Sequence, residues 1–305
     1  MEIVNIKKLK SLGEKFAIAI GFFDGVHLGH QLVINKTVSY AEENHVKSMV
    51  ITFDRSPKVV LGSALNDGYL TPTGEKLRIL EKMDVDYAIV LKFDSSLSNL
   101  SSDEFISEYL SKIGVCYVSV GFDFRFGCGG AGSTTQLLSR SEFKVDVSEP
   151  VLMAGDKVSS TRIKKCLKME SLAEANLMLG RHFSVSGEVV HGKQLGGMIG
   201  FPTANLILAE DCFFPLRGVY RTISHVDNSR FVSMTNVGVN PTANLQKSIS
   251  NETHIFNFDK NIYGKQLRVE FLNKIRNEVK FNDLAELIAQ LKQDKTIVES
   301  MSLDV

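Results

Sequence analysis

The first half of the chain alternates between short apolar runs and longer segments in which apolar residues recur at helical spacing. Short apolar runs predict buried strands, whereas apolar residues three and four positions apart predict amphipathic helices. Ser101, with Glu104 three positions later, is a helix-start signal of the capping-box type. This alternation is typical of a parallel, doubly wound α/β sheet. The predicted strands are 16–20, 47–53, 87–93 and 117–121, and the predicted helices are 26–40, 73–83 and 101–113.

The hydrophobic pattern changes in the second half of the chain. A helical stretch at 173–179 is followed by Gly180, which suits the left-handed position after a helix end. From Phe183 onward short β-type runs separated by turns predict a small barrel or sandwich, and an amphipathic helix at 284–291 follows. We therefore predict two domains, 1–182 and 183–305. The predicted strands of the second domain are 184–190, 218–225, 231–236, 252–258 and 266–271.

Charge and cysteine content narrow the class of protein. The 305 residues include 35 basic and 35 acidic side chains, whereas a nucleic-acid binder would carry a basic surplus. The four cysteines are far apart and form no C-x-x-C pair, which argues against a zinc knuckle or a disulfide framework. No apolar run approaches the length of a membrane span. We expect a cytoplasmic protein whose partners are small molecules, with neither nucleic acid nor membrane among them.

The densest motif is GFFDGVHLGH at residues 21–30, at the predicted turn from the first strand into the first helix. Backbone N–H groups and the dipole at a helix start favour a bound phosphate, and glycines allow a nucleotide to approach closely. His27 and His30 lie three residues apart, so both can meet the negative charge that grows on a leaving polyphosphate. The alternatives are two surface histidines or two of three zinc ligands.

This motif resembles the H-x-G-H nucleotidyltransferases, and its longer form resembles the prokaryotic bifunctional riboflavin kinase/FAD synthetase family. Segments TFD at 52–54, GFDFRFG at 121–127 and SSTRIK at 159–164 follow in the order that the family shows. The resemblance implies a Rossmann-like nucleotidyltransferase domain that adenylylates FMN, with His27 and His30 in catalysis. It implies a nucleotide and phosphate site of Gly21, Phe22, Asp24, Gly25, Ser160, Thr161, Arg162 and Lys164, and a flavin site that includes Asp123, Phe124 and Phe126.

Parts of this set depart from the family pattern. Lys164 stands where the family has arginine, and lysine keeps the charge but loses the planar fork that grips a phosphate with two hydrogen bonds. Residues 54–57, DRSP, replace the usual D-P-H-P. The alternating aromatic residues at 122, 124 and 126 also suit an ordinary strand core.

A second motif is GFPTAN at residues 200–205. The Thr203 hydroxyl and the Asn205 amide oxygen are hard ligands suited to Mg²⁺ bound with ATP phosphates, and Pro202 would fix the turn that aims them. Taken alone, the segment also suits any turn, because Pro, Thr and Asn are common turn residues. It resembles the G-x-P-T-A-N signature of the riboflavin kinase domain of the same family, which implies a small antiparallel β-barrel and places Gly200 beside the nucleotide.

The same resemblance assigns further roles in the second domain. It implies that Glu252 is the base that takes the proton from the ribityl 5′-hydroxyl of riboflavin, and that Arg276 and Phe281 shape the flavin side. A solvated glutamate, a surface arginine and a core phenylalanine are the alternatives. Gly197 and Asn240 stand where the family often has arginine, so a cationic contact of the family is missing from this sequence.

The resemblance covers nearly the whole chain and implies a bifunctional enzyme. Riboflavin would be phosphorylated to FMN, and FMN would then take AMP from ATP with release of pyrophosphate. Mg²⁺ would accompany ATP, and the flavins would be substrate and product. Such transfers need no protein nucleophile and depend on positioning and charge stabilisation. Two alternatives stay open: an FMN adenylyltransferase with a weak or inactive kinase domain, and a flavin-binding regulator that consumes no ATP.

Overall fold

The computed structural model describes residues 1–6, 13–65, 67–192, 195–227, 229–239 and 249–301. Within these ranges the chain forms two compact units that divide between Ser160 and Thr161. The predicted boundary after residue 182 coincides with the start of a strand at Phe183. The helical segment before that strand belongs to the second compact unit, and the division into functional domains at 182 stays a prediction.

The first unit is built on a parallel sheet. Its strands are β1 (Glu2–Ile3), β2 (Phe16–Ile20), β3 (Lys47–Phe53), β4 (Tyr87–Leu91), β5 (Val115–Gly121), β6 (Arg125–Phe126), β7 (Gly132–Ser133), β8 (Lys144–Ser148), β9 (Leu152–Met153) and β10 (Asp156–Lys157). Among the described residues, six of these strands form a sheet in the order β1-β4-β3-β2-β5-β8, and every pair is parallel. The predicted doubly wound α/β fold is confirmed.

Helices cover both faces of this sheet. They are α1 (Leu28–Glu43), α2 (Pro57–Val60), α3 (Thr73–Glu81), α4 (Ser95–Ser98), α5 (Ser102–Tyr109) and α6 (Thr134–Leu138), with single 3₁₀ turns at Ser111–Ile113 and Cys128–Gly130. Strand β2 is buried at every position, as expected for a parallel strand covered on both faces. Ile18 packs in one core with Phe105 of α5, and its neighbour Ala19 packs in another with Ile34 of α1.

The second unit is built on a closed barrel. Its elements are α7 (Ser160–Lys168), whose first residue is the last residue of the first unit, α8 (Leu172–Leu179), β11 (Phe183–Val190), α9 (Leu195–Met198), β12 (Ala204–Leu208), β13 (Gly218–Val226), β14 (Ser229–Val239), β15 (Ile249–Ile255), β16 (Gln266–Arg276) and α10 (Leu284–Ser300). Within the described residues the strands close in the order β11-β12-β15-β14-β13-β16 with antiparallel pairing. The hydrophobic pattern predicts either a small barrel or a sandwich, and the structure shows the barrel.

The interior of the barrel is partly polar. Thr222 hydrogen bonds to Ser233 and Thr235 at 2.8 and 2.9 Å, and Thr235 hydrogen bonds to Thr253 at 2.9 Å. All four side chains are fully buried, and each hydroxyl finds a partner, as buried polar groups require. Since successive residues of a strand point to opposite faces, Glu252 lies on the outer face of the barrel. Helix α10 packs against this outer face through Val298.

Some local predictions are confirmed and some elements are missed by the hydrophobic pattern. The Ser101–Glu104 capping box forms at the start of α5, and Gly180 follows α8 with a φ of 65°. The pattern does not predict β8 or β12, and α10 extends beyond the predicted end at residue 291. Among the residues that the structure describes, no helix combines the length and apolarity that a membrane crossing needs.

Candidate active sites

The 21–30 motif lies where the parallel sheet reverses its strand order. From β2 the chain proceeds outward to β3 and β4 on one side, whereas β5 pairs with β2 on the other. Gly21 directly follows β2, and Gly121 ends β5, so both segments meet at the carboxyl edge of the sheet. In open α/β sheets ligands bind in the crevice at this position.

The loop between β2 and α1 has an unusual backbone. Phe23 and Val26 have φ angles of 53° and 38°, and Gly25 has a φ of 86°. A positive φ is uncommon for residues with a Cβ and strained for a β-branched one such as Val26. Strain of this kind persists only where the surroundings fix the chain.

Hydrogen bonds from neighbouring segments fix this loop. The Gly25 N–H donates to Thr71 Oγ1 at 2.9 Å, the Thr71 N–H donates to Asp24 Oδ1 at 3.2 Å, and Ser160 Oγ donates to the Asp24 carbonyl at 2.7 Å. Asp24 and Ser160, which the sequence assigns to nucleotide binding, therefore hold the loop itself. Their contact with a nucleotide stays a prediction.

The two histidines of the motif lie together at the start of α1. His27 is the N-cap of this helix, and its Nδ1 accepts from the His30 N–H at 3.4 Å. The two imidazole rings stack with centroids 3.6 Å apart, and Phe23 contacts His30 edge-on at 5.3 Å. The described residues contain no group of three His, Cys, Asp or Glu side chains suited to a metal ion.

The aromatic loop after β5 divides into exposed and buried positions. Asp123 pairs with Lys157 at 2.6 Å, and the same ammonium lies 4.4 Å from the ring centroid of Phe122. Phe122 is 40% exposed, Phe124 is half-buried, and Phe126 is 6% exposed within the core beside Phe105. The strand-core alternative therefore describes Phe126, whereas Phe122, absent from the predicted flavin set, is the exposed ring.

Arg162 and Lys164 of the SSTRIK segment have partners within the second unit. Arg162 forms an ion pair with Glu174 at 2.8 Å, and Lys164 Nζ lies 5.0 Å from the ring centroid of Phe213. Thr161 is exposed at the start of α7. Their predicted roles in binding phosphate are not tested by these contacts.

Strand pairing brings the polar residues of the barrel together. Asn205 on β12 lies directly opposite Glu252 on β15, and Glu252 lies directly opposite Asn236 on β14. Directly opposite residues point to the same face of a sheet, so these three side chains form a row on the outer face. The predicted base therefore lies beside one of the two predicted metal ligands, although 46 residues separate them along the chain.

The turn that carries Thr203 is held against the strand that carries Glu252. His254 Nδ1 hydrogen bonds to the Pro202 carbonyl at 2.8 Å, and its ring packs 5.3 Å from the Phe201 ring. Burial lowers the pKa of His254 and outweighs the hydrogen bond to Pro202, which acts to raise it. The imidazole is therefore neutral and donates from Nδ1, because a carbonyl can only accept.

Glycines make room around this turn. A Cβ at Gly192 would overlap the side-chain amide of Asn205, and a Cβ at Gly196 would overlap the Phe201 carbonyl. Gly200 has a φ of 80°, a conformation that glycine adopts without strain. At Gly197 a Cβ would meet no atom within 4 Å, so the structure leaves space where the family often has arginine. Asn240 lies outside the described residues.

Arg276 holds the C-terminal helix. Its guanidinium donates to both carboxylate oxygens of Asp294 at 2.8 to 3.0 Å, and Gln290 donates to the same carboxylate at 2.8 Å. Asp294 is fully buried. Phe281 lies 5.9 Å from the Arg276 guanidinium. The predicted contact of Arg276 and Phe281 with flavin stays a prediction, whereas the ion pair assigns Arg276 a structural role that sequence reasoning missed.

Two further residues of the first site were not found from the sequence motifs. Lys76 and Thr71 contact the loop after β2 from the α3 region. The signal for Lys76 is weak but present, because it lies three and four positions before Ile79 and Leu80 on the buried face of α3. Thr71 has no signal in the local sequence.

Comparison with known proteins assigns a family model to each part of the chain. A family model described as FAD synthetase matches residues 9–162, and one described as riboflavin kinase matches residues 179–302. A structure from Streptococcus pneumoniae, described as a macrolide-efflux protein, is 30% identical with a TM-score of 0.87 and covers 99% of this chain and 100% of its own. That description concerns the other protein, and the likeness is one of fold.

Curated relatives match over most of the chain. A bifunctional riboflavin kinase/FMN adenylyltransferase of Listeria monocytogenes is 37% identical over 91% of this chain and 90% of the relative. Its counterpart in Escherichia coli is 34% identical over 92% of this chain and 91% of the relative. The chain belongs to the family of bifunctional riboflavin kinase/FMN adenylyltransferases.

Proposed function

We propose that this chain phosphorylates riboflavin to FMN at the barrel site and adenylylates FMN to FAD at the site on the parallel sheet. The observation that carries the proposal is the pairing of Asn205 with Glu252 beside the Pro202 turn. It unites two separate sequence motifs in one place. The first unit supplies the second activity through the stacked histidines at the start of α1.

In the kinase reaction Glu252 would act as general base. Its carboxylate takes the proton of the ribityl 5′-hydroxyl while that oxygen attacks the γ-phosphorus of ATP, and ADP leaves. A base is effective only within hydrogen-bond distance of the proton that it removes. Because Glu252 lies within a strand and between two paired strands, its backbone position is fixed. Gly200 would lie beside the ATP phosphates.

The residues at the barrel site fit a magnesium ion bound with ATP. Mg²⁺ prefers hard oxygen ligands and binds through few protein groups together with substrate phosphates. The hydroxyl of Thr203 and the amide oxygen of Asn205 are such ligands, and His254 positions their turn through Pro202. When bound, the ion would neutralise charge on the phosphates.

In the adenylyl transfer a phosphate oxygen of FMN attacks the α-phosphorus of ATP, and pyrophosphate leaves. No protein nucleophile is needed. The N-terminus of α1 carries a partial positive charge that favours phosphate, and His27 and His30 lie at this helix start. They would stabilise the charge that develops on the leaving pyrophosphate. Gly21, Phe22, Asp24 and Gly25 form the loop that would surround the phosphates.

The remaining site residues take supporting roles in the proposal. Asp123 and Phe124, together with the exposed Phe122, would contact flavin in the first unit, and Arg276 and Phe281 would do so in the second. Ser160, Thr161, Arg162 and Lys164 would bind nucleotide phosphate. The cysteines, all of which lie in the described residues, are free thiols, which supports a reducing, cytoplasmic location.

Product analysis tests the proposal. Purified protein is given riboflavin, ATP and MgCl₂, and riboflavin, FMN and FAD are separated. We expect FAD from the wild type, unchanged riboflavin from Glu252→Gln, and accumulated FMN from the His27→Ala/His30→Ala double variant. The control is Glu188→Gln, an exposed glutamate on β11, which should make FAD normally.

Other outcomes would identify the alternatives. If the wild type converts supplied FMN to FAD but leaves riboflavin untouched, the chain is an adenylyltransferase without kinase activity. If it binds both flavins and changes neither, it is a flavin-binding protein.

A further inference from the structure

Lys76 is a buried lysine beneath the loop that joins β2 to α1. Its side chain is 1% exposed. Its Nζ donates to the Phe22 carbonyl at 2.7 Å and to Thr52 Oγ1 at 3.2 Å, and it lies 4.2 Å from the centroid of the Phe22 ring. An ammonium group leaves water only at a large cost in solvation, and these oxygens and the ring face offset that cost. The Lys76 Nζ is therefore fixed in position beside the Phe22 carbonyl.

The Phe22 carbonyl is the centre of this arrangement. It accepts from Lys76 and also from Thr52 Oγ1 at 3.0 Å. Thr52 lies near the end of β3 and Lys76 lies on α3, so the carbonyl is held by two separate elements. Phe22 immediately precedes Phe23, the first residue of the loop with a positive φ.

Fixing this carbonyl also fixes the next N–H group. A trans peptide is planar, with its C=O and N–H on opposite sides, and no cis peptide is present in the described chain. Because the Phe22 carbonyl points at Lys76, the Phe23 N–H points away from it. Among the hydrogen bonds of the described residues, none uses the Phe23 N–H as a donor.

We propose that Lys76 is a positioning residue for adenylyl transfer: its ammonium orients the Phe22–Phe23 peptide so that the Phe23 N–H binds a phosphate oxygen of ATP. The inference rests on the proposed function of the first unit and adds a residue to it. Lys76 acts through the backbone of the loop and not by contact with substrate. The positive charge behind the peptide also strengthens the N–H as a donor to an anion.

The test is Lys76→Met, measured in both reactions of the same sample. Loss of a hydrogen bond to a charged group predicts a fall in kcat/KM for ATP of roughly 10-fold or more in FMN adenylylation. We expect KM for ATP to rise by about threefold or more, because the donor binds ATP before the transition state as well. Riboflavin phosphorylation by the same protein should stay unchanged.

The KM for ATP separates positioning from folding. A variant that merely loses folded protein has a lower apparent kcat with an unchanged KM. Thr52→Val removes the other donor to the Phe22 carbonyl and should raise KM for ATP in the same direction, so it decides the question if Lys76→Met does not fold. Lys47→Met is the control. Lys47 begins β3, the strand that carries Thr52, at the end far from the Phe22 carbonyl, and it pairs with Asp86.

Each result has a definite meaning. If KM for ATP in adenylylation stays at the wild-type value in Lys76→Met, or in Thr52→Val when the first variant does not fold, the positioning role is wrong. If the wild type makes no FAD from supplied FMN, the proposed function fails, and this is known before any variant is compared.

Discussion

His254 and Pro202 connect the proposed base and the proposed metal ligands of the barrel. The imidazole donates from Nδ1 to the Pro202 carbonyl at 2.8 Å. His254 is two residues from Glu252 on β15, and Pro202 immediately precedes Thr203. One hydrogen bond therefore links the turn to the strand, and a change at His254 should affect both the stability of the barrel and the kinase reaction.

The neutral state of His254 predicts how stability depends on pH. Its pKa is lowered from 6.5 by burial, against the raising effect of the Pro202 hydrogen bond. The unfolded chain therefore binds a proton more readily than the folded chain, so this contribution to stability is present above about pH 6.5 and is lost as pH falls toward the lower folded pKa.

His254→Asn tests this dependence, because the asparagine amide can replace Nδ1 as the donor to Pro202 but does not titrate. Urea unfolding between pH 7.5 and 5.5 should show a smaller loss of unfolding free energy in this variant than in the wild type. His45→Asn, at an exposed histidine, is the control and should keep the wild-type slope. Equal slopes in all three proteins would show that His254 titrates normally.

Much of the fold is accessible from the sequence because local signals and tertiary structure agree. The strand Lys47–Phe53 has the predicted bounds, the capping box at Ser101 forms, and Gly180 adopts the left-handed conformation. Strand β12 is missed because it directly follows Pro202 and Thr203, whose residue types favour a turn. The choice between barrel and sandwich depends on the closing pair β11 and β16, which no local pattern records.

The sites are less accessible than the fold. The motifs identify Asn205 and Glu252 separately, but their position opposite each other depends on the register of β12 against β15, and turn geometry helps to set such a register. Arg276 illustrates a different limit, since its ion pair with Asp294 links β16 to α10 across a loop. Phe126 illustrates a third limit, because a pattern of alternating aromatic residues is the same whether those residues face a ligand or the core.

Gly192 should be necessary for the kinase reaction. A Cβ at this position would overlap the Asn205 amide, and the end of a side chain moves more easily than backbone. In Gly192→Ala we therefore expect Asn205 to rotate away, with a fall of roughly 10-fold or more in riboflavin phosphorylation and unchanged FMN adenylylation. Gly197→Ala is the matched control, because its Cβ would meet no atom within 4 Å. Equal kinase rates in both variants would show that the orientation of Asn205 is unimportant.

Glu270 should govern the acid stability of the barrel. Burial acts to raise its pKa, but the adjacent His225 imidazole at 3.1 Å and the hydrogen bond from Arg268 outweigh burial and lower the pKa from 4.5 to about 2. A shift of this size corresponds to about 3 kcal/mol of stability that is present above pH 4.5 and is lost as pH falls through about 2. Glu270→Gln should be less stable than the wild type at pH 7 and should lose less stability between pH 5 and 2.5. The control Glu188→Gln should lose stability with falling pH as the wild type does. If Glu270→Gln also behaves like the wild type, the interactions of Glu270 with His225 and Arg268 contribute nothing to acid stability.

The Arg276–Asp294 pair should be the main polar link between α10 and the barrel. Asp294 is fully buried and accepts from both Arg276 and Gln290. Replacing one partner of a buried pair leaves the other charge uncompensated, at a cost of about 3 to 5 kcal/mol. Asp294→Asn should therefore lower the free energy of unfolding of the barrel by about that amount in urea titrations followed by circular dichroism.

An exposed ion pair supplies the comparison for Asp294. Lys265 and Asp227 lie 3.1 Å apart with both side chains largely in water, and such pairs contribute about 1 kcal/mol or less. Asp227→Asn should therefore cost at most about 1 kcal/mol. If Asp294→Asn costs no more than this control, apolar packing at Val298 holds α10 in place without the ion pair. The Arg276 guanidinium would then not be needed to hold the helix and would be available for contact with a flavin. If the cost is the larger one and riboflavin phosphorylation falls with it, the ion pair supports the flavin side by fixing the helix.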